Sequence, residues 1–131
     1  MSVIIKLLAG SILAMGLAWL WDRLFIVSGI NQQIRIGILI PIGEEIIKLV
    51  ILDHLCFSPL LFYGLFGLGE GIFESFRVPK HFKSTLILAG WITHTIFSLF
   101  YLTVLPRYFQ LFLAICAHCL WNFTVLRITK Y

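Results

Sequence analysis

Five apolar stretches, near residues 3–21, 36–56, 59–76, 84–105 and 107–126, account for most of this 131-residue chain. A hydrocarbon core about 30 Å thick takes roughly 20 residues of helix to cross, and each stretch reaches or approaches that length. Lipid offers no partner to a backbone N–H or C=O, so such a run has to close its hydrogen bonds within itself, as helix. Composition agrees: 60% of the residues are hydrophobic, against ten Lys and Arg and six Asp and Glu. That is too little charge to coat a soluble domain. The expected fold is all-α, a polytopic membrane bundle of about five transmembrane helices forming a single integral membrane domain over residues 1–131. The net charge of +4 then bears on membrane orientation. The lipid bilayer is an expected partner and nucleic acid is not.

Pro59 and Pro106 stand at the first turns of the third and fifth helices, where a missing N–H is tolerated. Pro41 falls inside the second and is expected to kink it. Arg23 and Arg35 lie in the first connection, Arg77, Lys80 and Lys83 in the third, and Arg127 and Lys130 at the C-terminal end, all on one face. Lys6 and Arg107 are on the other. Seven against two, with Lys48 set aside as intramembrane, the bias puts the first face and the C-terminus in the cytoplasm. "RVPKHFK" reads either as a contact with anionic lipid or as an ordinary loop. "DRLFIVSGINQQI" reads as a connection along the interface, with Trp19 and Trp21 marking the end of the first helix. The stretch before it lacks a basic n-region, which favours a retained helix over a cleaved signal peptide. Three cysteines lie in apolar segments, and Cys116-x-x-Cys119 has no second pair to suggest zinc, so packing is the simpler reading.

Five of the six acidic residues, Glu44, Glu45, Asp53, Glu70 and Glu74, fall within expected helices. A charge at a helix centre costs about 2.5–3.5 kcal/mol on insertion scales, so several of them demand pairing, protonation or water. Lys48 is four residues from Glu44 and three from Glu45; Glu70 and Glu74 are four apart, as are His118 and Asn122. Each pair therefore shares a helix face. Counted from the expected cytoplasmic ends at 1.5 Å per residue, Glu44, Glu70, His94 and His118 lie roughly 12, 9, 15 and 13 Å deep, with Asn122 and Glu74 nearer the mouth at about 7 and 3 Å. Four helices thus present polar groups at one level, which implies a cavity open toward the cytoplasm. Asp53, His54 and His81 fall outside it.

A carboxylate beside a histidine in a sheltered site can take a proton from water and deliver hydroxide to a carbonyl. His118 and Asn122 offer donors for an oxyanion. The same groups also suit a divalent metal such as zinc, through Glu44, His94 and His118. No H-E-x-x-H helix is present, so a metal-free glutamate mechanism ranks higher and no cofactor is expected. Two other classes fit a buried Glu, Lys and His set: a small transporter or a proton or ion channel, and a catalytically inactive scaffold. A relay would string polar residues through the full thickness, whereas here they gather in the cytoplasmic half.

In "GEEIIK", Glu44, Glu45 and Lys48 match an EExxK pattern; "GLFGLGEGIFES" is a Gly-rich helix with an FxxxE ending; "AHCLWNF" holds His118 and Asn122 in HxxxN. In this order on membrane helices, the set resembles the PrsW family of intramembrane proteases. The wider clan includes the type II CAAX prenyl proteases, the bacterial CPBP proteins. The resemblance spans about residues 38–124 and implies an intramembrane endopeptidase of the prokaryotic plasma membrane acting on a peptide or membrane-protein substrate. It implies Glu44 or Glu45 as general base, Glu44 preferred because Lys48 lies a full turn beyond it. His94 would assist proton transfer or bind water, His118 and Asn122 would stabilise the oxyanion, and Lys48 would tune or anchor the pair. The glycine alignment selects Glu74 as the FxxxE glutamate, while Phe66-x-x-x-Glu70 fits literally, and both stand. Gly64, Gly67 and Gly69 would let helices approach closely. The chain is short for the family, which leaves room for a partner or a homo-oligomer.

Overall fold

The computed structural model describes residues 2–76 and 80–129. Helix α1 spans Val3–Val27, started by the Ser2 hydroxyl, which accepts from the Ile5 N–H. The chain turns at Gly29, whose φ of 68° is open to glycine without strain. Asn31 accepts from the Gln33 N–H and starts a short turn, Gln32–Ile34, which runs into a π-helical stretch, Arg35–Leu39, and then into α2, Ile40–Leu55. Cys56 ends α2 in the left-handed conformation. Helices α3 (Pro59–Ser75), α4 (Lys80–Ser98, continued by the 3-10 turn Leu99–Leu102) and α5 (Arg107–Thr129) follow. The described residues contain no strand.

The expected all-helical architecture of five helices is what the chain adopts. Among the described residues three segments are long and apolar enough to cross a membrane: Val3–Val27, Lys80–Leu102 and Arg107–Arg127. The two helices that carry the glutamates are shorter, at 16 and 17 residues. Several boundaries differ from expectation. Helix α1 continues six residues past Trp21, so neither Trp19 nor Trp21 marks its end and much of the supposed interfacial connection is helix. Apolar Leu24, Phe25 and Ile26 extend the pattern across the charges of Asp22 and Arg23. Lys80 and Lys83 stand on the first turn of α4 rather than in a loop. Arg77 and Lys130, counted in the charge bias, lie outside the described residues. Pro41, expected inside the second helix, stands in the first turn of α2 instead, just after the π-helical stretch Arg35–Leu39.

Helices α3 and α4 form the tightest pair. A Cβ on Gly67 would lie 2.3 Å from the Gly90 carbonyl, and one on Gly90 would lie 2.6 Å from the Gly67 carbonyl, so only glycine admits this separation. Helix α1 lies against α2 and α3, and α5 packs on α2 and the π-helical stretch. Phe62, Tyr63, Phe66, Leu52, Phe97, Tyr101 and Ala114 fill the centre. Large apolar side chains cover the outside, with Val3, Ile12, Leu61 and Phe112 well exposed.

Candidate active site

Glu44, Glu45 and Lys48 are all buried where α2 faces α3, α4 and α5. Glu45 and Lys48 have 0% exposure, and their separation of three residues on one helix brings Lys48 Nζ to 2.5 Å from Glu45 Oε1. Glu45 is satisfied on both oxygens. His118 Nδ1 lies 3.0 Å from Oε1, the Tyr63 hydroxyl donates to Oε2 at 2.9 Å, and the Tyr101 hydroxyl reaches the same oxygen at 3.5 Å. Three helices, α2, α3 and α5, and the 3-10 turn thus converge on a single carboxylate. The Lys48 ammonium also lies over the Tyr63 and Phe66 rings, 4.8 and 4.6 Å from their centroids, where the ring quadrupole attracts a cation.

Proton placement follows from which groups can donate. An ammonium only donates, so Lys48 Nζ, 3.2 Å from His94 Nδ1, fixes that nitrogen as acceptor and leaves Nε2–H for Glu70 at 2.5 Å. A carboxylate only accepts, so His118 gives Nδ1–H to Glu45 and holds Nε2 as its free ring nitrogen. That nitrogen is 3.8 Å from Glu44 Oε2. Lys48 Nζ is 3.9 Å from the same oxygen, which has no hydrogen-bond partner among the described residues although it is buried. Adjacent glutamates therefore differ sharply: Glu45 is fully engaged and Glu44 presents an orphan oxygen. An unsatisfied buried acceptor costs about 1–3 kcal/mol.

The layer inferred from helical depth is assembled: Glu44, Glu45, Lys48, Glu70, His94 and His118 form one network. Of the two candidates for the FxxxE glutamate, Glu70 meets His94, and its side chain, 35% exposed, is the open member of the cluster. Glu74, half-buried, lies one turn farther along α3. Asn122 does not join the network through its amide nitrogen, which donates to the Ile36 carbonyl at 2.8 Å. Asp53, His54 and His81 are exposed, as expected, with Asp53 paired to Arg107 at 3.0 Å. Tyr63 and Tyr101 went unread in the sequence, although a phenol within an apolar run calls for a partner. Trp21 was read as an interface anchor, but it lies over Gly43, where a Cβ would meet Nε1 at 2.1 Å, and donates to the Leu39 carbonyl.

Ligand atoms of Glu44, His94 and His118 lie within 4.8 Å of one another, so by distance they fit a cation. By hydrogen bonding the space is contested. Both His94 nitrogens are engaged, and the Lys48 ammonium already brings a positive charge to the same groups.

Among the described residues, fold and site together define an all-helical protein with three segments long and apolar enough to span a membrane and a buried cluster of glutamates, histidines and a lysine. Comparison of the chain with family models, with curated proteins and with solved structures gives no match.

Proposed function

We propose that this protein is an intramembrane endopeptidase of the PrsW-like and CPBP type, a five-helix membrane bundle with its C-terminus in the cytoplasm. The observation that carries the reading is the buried, unpartnered Glu44 Oε2 beside the free Nε2 of His118. A water hydrogen-bonded to Glu44 Oε2 would lose a proton to that carboxylate while its oxygen adds to a peptide carbonyl. The resulting tetrahedral intermediate collapses when Glu44 returns the proton to the amide nitrogen and the C–N bond breaks. Glu45 is the fixed counterpart: it anchors Lys48, orients His118 and takes no proton. Glu70, the open member of the cluster, faces the side where the substrate enters, with the buried His94 behind it. The reaction uses no metal, because the Lys48 ammonium supplies the positive charge that a cation would bring.

Purified protein offered candidate peptides tests this. Glu44→Gln is expected to lower cleavage by about 10²–10⁴-fold, the share typical of a general base. His118→Ala is expected to lower it comparably. Cleavage unchanged in both variants would remove the assignment. Zinc at one equivalent per chain in active protein would overturn the metal-free part alone.

A further inference from the structure

The Ile36 carbonyl is left without a backbone partner by the way α2 begins. In an α-helix it would accept from the Ile40 N–H, but that N–H is bonded one residue farther back, to Arg35 O, in the π-helical register. In the π register its donor would be residue 41, which is a proline and has no N–H. Both routes are closed by the sequence and the local winding. Asn122, 86 residues away on α5, donates its side-chain amide to this oxygen at 2.8 Å. Trp21 from α1 donates to Leu39 O three residues on, also at 2.8 Å.

The winding of this stretch sets where the glutamates point. One extra residue in a helical turn rotates everything after it by about 100°. Glu44, Glu45 and Lys48 begin three residues after Pro41, so their direction depends on whether Arg35–Leu39 stays in the π form.

The geometry points to Asn122 as a positioning residue: its amide stands in for the N–H that Pro41 lacks and locks the π-helical turn whose phase aims Glu44, Glu45 and Lys48 at His94 and His118. This replaces the oxyanion role that the resemblance implies for Asn122, and it rests on the hydrolase reading only for its activity arm. The role ties the far end of the chain to the register of the second helix.

A cycle of wild type, Asn122→Ala, Pro41→Ala and the double variant tests it, because Pro41→Ala restores a backbone N–H for Ile36. Asn122→Ala is expected to lower the thermal midpoint in detergent by roughly 3–10 °C, and by less than half as much in the Pro41→Ala background. Turnover in peptide cleavage follows the same pattern, lost in the single variant and recovered in the double. Equal loss of midpoint in both backgrounds overturns the proposal, as does a turnover loss with no change in midpoint and no rescue, which is the signature of a direct oxyanion donor. If the Pro41 variants fail to fold, a scalar coupling across the hydrogen bond between Asn122 Nδ2 and the Ile36 carbonyl carbon, measured on labelled wild type, decides: its presence supports the lock and its absence overturns it. Absence of cleavage in wild type removes the hydrolase reading and leaves the midpoint cycle valid.

Discussion

Helix α2 carries an ion pair toward each of its ends, and the two differ in almost everything but chemistry. Near its start, Glu45 and Lys48 are fully buried and share their remaining hydrogen bonds with two tyrosines and two histidines. Near its end, Asp53 pairs with Arg107 of α5, side chains 42% and 51% exposed. Attraction between charges strengthens as solvent is excluded, but so does the cost of stranding either partner. The buried pair is therefore a commitment of the fold, made tolerable by its surrounding donors and acceptors, whereas the exposed pair is an optional clip between two helices. Within the buried end the two adjacent glutamates differ as well: Glu45 is saturated, and Glu44 keeps an oxygen with no hydrogen-bond partner among the described residues.

Lys48→Ala should have the largest effect. It strands Glu45 without its closest partner, at a cost of about 3–5 kcal/mol in unfolding experiments in detergent. Removing both charges, as Glu45→Gln with Lys48→Met, should recover most of that loss, since no buried charge then lacks its counterpart. If Lys48→Ala proves as mild as loss of Arg107, the contrast between the two ends is broken. Gly67→Ala comes next. It drives a methyl into the Gly90 carbonyl and the His94 side chain, for about 1–3 kcal/mol, and should weaken the contact between His94 and Glu70 along with the helix packing. Tyr63→Phe removes one of the donors to Glu45 while Lys48 and His118 remain, and should cost about 1–2 kcal/mol with little loss of shape. Arg107→Ala should be smallest, at most about 1 kcal/mol and shrinking further as salt is raised, because the pair is substantially exposed. A larger loss for Arg107→Ala would show the exposed clip to be part of the core.

Much of the site could be read from residue positions, for a reason that belongs to the chain's greasy context. A glutamate or lysine inside an apolar run is costly enough that its partners must share its depth, so counting residues along separate helices brought Glu44, Glu70, His94 and His118 to one layer. The spacing of Glu44, Glu45 and Lys48 limited Lys48 to two carboxylates but did not choose between them. The structure pairs it with Glu45 at 2.5 Å and leaves Glu44 at 3.9 Å. Glu70 and Glu74 likewise share a face in the sequence, and only the approach of α4 over Gly67 and Gly90 selects Glu70 for His94.

Residue order was enough to show that the chain is helical, where its helices run to within six residues, and that its acids and imidazoles had to be sheltered together. These follow from short-range rules, the length of apolar runs and the 3.6-residue repeat, which act within one segment. Tertiary structure alone decided which glutamate is saturated, which is left with an open oxygen, and how the π-helical turn ahead of them is held. Those outcomes depend on donors arriving from other helices, Tyr63, Tyr101, His118, Trp21 and Asn122, and a hydrogen bond between residues as far apart as Asn122 and Ile36 leaves no trace in the spacing of either.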